Sequence, residues 1–270
     1  MAAPNEITPR QLLRLIGTPD APVIVDVCID ADFEADPHLI PTARRIAHTD
    51  IDAIRSCVGA RACVIVCQKG RKLSQGVAAL LNADGHRAEY LAGGMMAWRE
   101  SGAPGIPAAV VPPHVDGATL WVTRHRPKID RIACPWLIRR FVDPGARVLF
   151  VAPGEVLDVA DRFGAIPFDV EDTFWSHRGD ACTFDTMLEA FALDLPALER
   201  MAQVVRAADT NRHDLAPQAA GLLALSVGLS RQYRDDQAQL DAGMAIYDAL
   251  YRWARDGFDE THDWPGGRGT

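Results

Sequence analysis

Three short apolar runs, each set off from the next by a helix-like stretch, constrain this chain more than any other feature. APVIVDVC (21–28), ACVIVC (62–67) and AEYLAGG (88–94) read as strands, the first two as β-branched runs fit for a buried sheet. TPRQLLRLIG (8–17), IDAIRSC (51–57), SQGVAALLNADG (74–85) and MMAWRESG (95–102) carry helical spacing. Thr8 is placed as an N-cap with Pro9 at the first helical position, and Gly85 closes the third helix. Strands alternating with helices predict parallel neighbours joined by crossovers. Sites in such sheets lie beyond the carboxyl ends of the strands. Cys67 stands at one of those ends.

The texture changes after APGIPAAVVPPHVDG (103–117), whose prolines and glycines read as an interdomain linker. TLWVT (119–123) and RVLFV (147–151) are expected strands. CPWLIRRFVD (134–143), EVLDVADRFG (155–164), TFDTMLEAFAL (183–193), PALERMAQVVRAAD (196–209), APQAAGLLALSVGL (216–229) and the long 235–256 stretch are expected helices. A chain of 270 residues is long enough for two cores. The expected architecture is therefore an α/β domain over 5–107, a linker over 108–118, a mostly helical α+β domain over 119–256, and a tail over 257–270. The closing WPGGRGT is expected to fray.

The net charge of −8 argues against general nucleic-acid binding. A local basic stretch (Arg124, Arg126, Lys128, Arg131, Arg139, Arg140, Arg147) still suits a small anion. No apolar run approaches a membrane span. The N-terminus lacks a basic segment followed by a long apolar one, so no signal peptide is expected and a cytoplasmic location is the default. Six cysteines without a CxxC pair read as free thiols.

After the second strand the chain runs Cys67, Gln68, Lys69, Gly70, Arg71, Lys72, and then enters a helix. Such a turn can curl its backbone N–H groups inward beside a helix N-terminus and hold negative charge. Gly70 permits a positive φ. The amides of 68–72 and the three cations should favour thiolate over thiol at Cys67. A thiolate held this way can attack sulfane sulfur and retain it as a persulfide. Phosphate-ester chemistry on a Cys-x5-Arg loop would need an arginine six positions on, where this chain has Leu73. Cys63 reads as core, Cys28 as packed, and Asp26 as a structural support at the first strand's end.

Residues 5–107 resemble a single rhodanese domain. The resemblance is carried by VIVDV (23–27), LIPTARRI (39–46), the C-x-x-G-x-K loop and YLAGGMMAWRESGAP (90–104). It implies a parallel five-stranded α/β sheet flanked by helices and a persulfide on Cys67. The family often has Arg where this chain has Gln68 and Cys28.

In the second half, Pro135 is expected at the first position of a helix, with Cys134 as N-cap. Together with Arg124 and Lys128 it forms a candidate anion or redox site. FWSHRGDACTFD (174–185) and ADTNRHD (208–214) bring candidate metal ligands, His177, Asp185 and Asp209, for a transition metal. Residues 119–256 resemble the C-terminal domain of ChrB-type chromate-resistance proteins, through RPKIDRIACPWLIRRFVDP, SHRGDACTFD, VVRAADTNRHDLAPQAAGLLALSVGLSR and AIYDALYRW. The resemblance implies a role in chromate or sulfur-oxyanion stress.

The expected function is sulfur transfer from thiosulfate or another sulfane donor through Cys67, with no cofactor required for that step. The expected partners are small sulfur-containing anions and a thiol acceptor, either a small molecule or a protein. Two other readings stand beside it: a non-catalytic oxyanion or metal sensor, and a thiol-based chromate reductase. The reductase reading lacks any flavin or nicotinamide fingerprint.

Overall fold

A computed structural model of the protein describes residues 5–260; the expected fraying of WPGGRGT lies outside them. The first half alternates as its apolar runs require: β1 (Glu6–Ile7), α1 (Pro9–Leu15), β2 (Val23–Asp26), α2 (Asp30–Glu34), β3 (His38–Leu39), β4 (Arg44–Arg45), α3 (Ile51–Val58), β5 (Cys63–Val66), α4 (Lys72–Ala83), β6 (Ala88–Leu91), α5 (Gly94–Glu100) and β7 (Ile106–Pro107). Five strands form one sheet in the order β1-β6-β5-β2-β4, with every neighbouring pair parallel. Central β5 is buried along its whole length because both faces are covered by helices. Thr8 caps α1 in a reciprocal box with Gln11, and Pro9 opens the helix.

The second half contributes β8 (Leu120–Arg124), α6 (Asp130–Leu137), β9 (Arg147–Val151), α7 (Val156–Phe163), β10 (Ile166–Pro167), α8 (Thr183–Ala190), α9 (Pro196–Asp209), α10 (Ala219–Gln232) and α11 (Asp236–Asp256). Its three strands form a small parallel sheet, β10-β8-β9. Helices predominate here, and one runs through the position where a break was expected. α6 starts at Asp130 and carries Pro135 inside it, continuing into a π-type turn over Ile138–Val142. Cys134 is therefore mid-helix and not an N-cap. The local proline rule loses to packing: Ile132, Ala133, Cys134, Trp136, Leu137 and Ile138 are all buried, and that burial outweighs the missing N–H.

The 108–118 stretch joins the two sheets but is not a loose tether. β7 just before it pairs antiparallel with β3, and Arg44 donates to the Gly117 carbonyl at 2.7 Å. One apolar core runs through both halves, from Leu12, Ile16 and Trp98 to Trp136, Phe141 and Tyr251. At Gly17, a Cβ would lie 2.4 Å from the Phe141 ring, so only glycine admits this approach. The Thr42 amide donates to the Phe141 carbonyl at 2.8 Å.

Asp143 ties this seam electrostatically. Its buried carboxylate accepts from the Thr119 amide (2.6 Å), the Thr119 hydroxyl (3.0 Å), the Gly145 amide (3.0 Å) and Arg44 (3.2 Å). Burial alone would raise its pKa. The two amides, the hydroxyl and the guanidinium outweigh burial and lower it. A carboxylate whose folded pKa lies below its unfolded value of about 3.9 stabilises fully above that value, and the contribution fades as pH falls through the folded pKa. Asp143→Asn should cost about 1–3 kcal/mol at pH 7. Urea titrations at falling pH should show variant and wild type converging only below about pH 4. An unchanged gap down to the acid transition would contradict this assignment.

Candidate active site

The loop after β5 turns its amides onto one sulfur. Cys67 is 5% exposed, at the sheet's rim. Burial pushes its thiol pKa up. The Ser74 hydroxyl, 3.1 Å from Sγ, and the backbone amides of Ser74, Arg71 and Lys69 push the other way, and the net direction is down. The cradle is thus built from main-chain N–H groups and one hydroxyl. The side chains of Lys69, Arg71 and Lys72 are exposed around it; the local stabilisation expected from them comes instead from the backbone. Gln68 is half-buried. Ser74 was not foreseen, although its place seven residues after Cys67, in the first turn of α4, is a signal the sequence offers.

The loop's shape depends on two glycines brought from different elements. Gly70 has φ +62°, and a Cβ there would lie 2.4 Å from the Leu91 carbonyl. Gly94 also has φ +62°, and its Cβ would lie 2.0 Å from the Cys67 carbonyl and 2.4 Å from the Gly70 nitrogen. The Met95 and Met96 amides donate to the carbonyls of Cys67 and Gln68, each at 3.1 Å. α5 therefore holds the loop from behind by hydrogen bonding its carbonyls, which leaves the loop's N–H groups to face the thiol. Leu73 packs against the apolar cluster under the loop, so no guanidinium stands where a phosphatase loop needs one.

Around the rim, Asp26 is buried and accepts from the Cys28 amide at 2.8 Å, anchoring the turn after β2. Cys28 is buried, with its thiol raised by burial and by Asp26. Cys63 is buried and raised to about 11 by burial. A cavity of about 370 Å³ opens beside Cys28, Asp30 and Arg45, and one of about 670 Å³ follows the seam past Arg44, Cys57 and His114. Neither is lined by Cys67.

Removing the Ser74 hydroxyl tests this electrostatic account. Ser74→Ala should move the midpoint of Cys67 alkylation to higher pH, because one of the groups favouring thiolate is lost. An unchanged alkylation profile would mean that the hydroxyl does not act on the sulfur.

The second half rearranges the residues flagged there. Cys134 is fully buried, and burial, followed by Asp130, pushes its thiol well up. It offers no accessible thiolate, and the expected redox role at that position is withdrawn. Arg124 is committed to Asp169 at 2.9 Å. Lys128 has its pKa lowered by burial and by the neighbouring Arg131, Arg126 and Arg231. Asp185 is a helix cap, not a ligand: it accepts from the Cys182 amide at 2.9 Å and lies 3.4 Å from Arg206. His177 and Asp209 do meet, at 3.3 Å, and two carboxylates not foreseen join them. Asp130 and Asp169 each approach His177 Nε2 to 3.5 Å. The neighbouring carboxylates of Asp169 and Asp209, ahead of the opposing effect of burial, raise His177 to about 10.

A parallel sheet carrying a thiol in an amide cradle at its rim defines a rhodanese-like domain, and residues 8–101 match the family described as the rhodanese-like domain. The chain joins this domain to a ChrB C-terminal domain, matched over residues 121–254. It is 31% identical over 196 residues to Protein ChrB of Cupriavidus metallidurans, a match covering 67% of this chain and 59% of that protein. The chain thus spans less than two thirds of that relative's length. Among solved structures, it is similar to a rhodanese-like domain protein from Staphylococcus aureus, with 30% identity over 35% of this chain and 90% of the other at a TM-score of 0.31. It is also similar to a thiosulfate sulfurtransferase from Pseudomonas aeruginosa, with 23% identity over 37% and 19% of the two chains at a TM-score of 0.34. Among the described residues, no helix is long and apolar enough to cross a membrane.

Proposed function

We propose that the rhodanese-like domain is a sulfurtransferase and that its ChrB partner domain places the activity in chromate or sulfur-oxyanion stress. The observation that carries this reading is the convergence of three backbone amides and the Ser74 hydroxyl on Cys67 Sγ. With thiosulfate as donor, the Cys67 thiolate attacks the outer sulfur. A new S–S bond forms, the S–S bond of thiosulfate breaks, and sulfite leaves with the bonding pair. The amides that held the thiolate then hold the terminal sulfur of the persulfide, which also carries the negative charge. Cyanide or a thiolate attacks that outer sulfur, and the Cys67 thiolate leaves, restoring the starting state. Lys69, Arg71 and Lys72 surround the entrance with positive potential and draw in anionic donors.

The test is the mass of the intact, fully reduced chain after incubation with thiosulfate. The expected result is a gain of one sulfur atom, located at Cys67 by peptide mapping and removed by cyanide. No gain of sulfur would overturn the enzyme reading and leave the oxyanion sensor in its place.

A further inference from the structure

The geometry points to a second, independent centre in the ChrB domain: Asp130, His177 and Asp209 form a three-ligand site for a divalent first-row transition-metal ion, of the series from Mn²⁺ to Zn²⁺. The residues come from three separate segments. Asp130 opens α6, Asp209 closes α9, and His177 lies on the connection between β10 and α8. One ligand atom from each lies within 4.8 Å of the other two.

The distances favour a shared ion over a single hydrogen bond. His177 Nε2 stands 3.3 Å from Asp209 Oδ2 and 3.5 Å from Asp130 Oδ2. A tetrahedron with metal–ligand bonds of about 2.0–2.1 Å has edges of roughly 3.3–3.4 Å. An N–H···O hydrogen bond is normally shorter, and one N–H aims at one acceptor. Here one nitrogen faces several carboxylates at nearly the same separation.

Asp130 supplies the independent observation. It is 1% exposed, one of its oxygens faces the cluster, and its other oxygen, Oδ1, has no hydrogen-bond partner among the described residues. Its filled partner is the Thr183 amide, 2.6 Å from Oδ2. A buried carboxylate left half-unsatisfied beside two others calls for a cation.

The charge balance gives the ligand count. Asp169 also lies 3.5 Å from the imidazole, but its Oδ2 is occupied by Arg124 at 2.9 Å and Arg131 at 3.2 Å. That charge is already paired with two guanidinium groups, so Asp169 is not counted among the ligands. An ion that binds here displaces the proton from His177, so Asp130 and Asp209 contribute two negative charges against the divalent ion and the deprotonated imidazole is the third ligand. One nitrogen and two oxygens suit the Mn²⁺ to Zn²⁺ series. The side chains of His177 and Asp209 are 40% and 20% exposed, so the fourth position opens to water, as in exchangeable sites.

The test uses the full chain in a Cys67→Ser background, which removes thiolate binding at the other centre. Chelator-stripped protein is dialysed against Zn²⁺ and, separately, Mn²⁺, and metal per chain is measured by elemental analysis. The expected result is one equivalent of at least one of the two ions, falling at least tenfold in His177→Ala and in Asp209→Asn. Asp209→Asn is nearly isosteric and decides the matter if His177→Ala fails to fold. The ion should also raise the thermal midpoint of the parent chain but not that of Asp209→Asn. A parent chain that retains neither ion overturns the proposal. So does an Asp209→Asn chain that retains the full equivalent.

Discussion

Cys67→Ser should abolish thiocyanate formation from thiosulfate and cyanide, a loss of at least about 10³-fold, while leaving the thermal midpoint nearly unchanged. The serine hydroxyl fits the same cradle but does not ionise near neutral pH and cannot carry a sulfane sulfur. No neighbour is poised to replace it. Cys28, Cys63, Cys134 and Cys182 are buried, and each has its thiol raised by burial first of all. Cys57 is only partly buried, but it lies on α3 and is not part of the loop after β5. Limited alkylation of the wild-type chain near pH 7 should therefore label Cys67 well ahead of the other buried thiols, and pre-loading with thiosulfate should slow that labelling. Turnover that survives in Cys67→Ser would move the chemistry elsewhere and remove the reason for the cradle. An inactive wild type with a readily alkylated Cys67 would point to binding without transfer.

The parts of this site that were legible in the sequence are the local ones. The strand ending at Cys67 announces itself as four consecutive apolar positions, because a parallel strand covered on both faces has no polar side to alternate with. The loop's glycine and the helix after it follow from spacing within six residues. Ser74 was within reach of the same logic, since an early-helix hydroxyl faces back toward the loop that feeds the helix. Gly94 was not. Its role arises from a contact with a carbonyl 27 residues earlier in the chain, and no local rule reports that. The metal candidates divide the same way. His177 and Asp209 were flagged as residue types, whereas Asp130 and Asp169 join them only when α6, β10 and α9 pack. Asp185 stays outside the cluster because a carboxylate three residues into a helix is first of all a cap. Pro135 departs from the local rule for the complementary reason: a propensity worth about 3 kcal/mol is real, but an almost wholly buried helix can outweigh it.

Gly94→Ala should inactivate the rhodanese-like domain without touching any group that contacts sulfur. At φ +62° an alanine is strained by roughly 1 kcal/mol. Its Cβ would also lie 2.0 Å from the Cys67 carbonyl, 2.4 Å from the Gly70 nitrogen and 2.9 Å from the Gln68 carbonyl carbon. All three are backbone atoms, so no side chain can swing aside. Either α5 retreats, which breaks the hydrogen bonds from Met95 and Met96 to the loop carbonyls, or the loop itself moves and its amides leave Sγ. A misplacement of about 1 Å at a reacting centre costs about 10²-fold in rate, and the clash exceeds that. Turnover should fall by at least about 10²-fold, and the midpoint of Cys67 alkylation should rise as the thiolate loses its donors. Gly76→Ala is the control: it lies on α4 close to Ser74, nothing stands within 4 Å of its Cβ, and its φ is not in the left-handed region. That variant should keep full activity and gain up to about 1 kcal/mol of stability. If Gly94→Ala turns over like Gly76→Ala, the loop tolerates displacement and the convergence of amides on Cys67 is not what makes the thiol reactive.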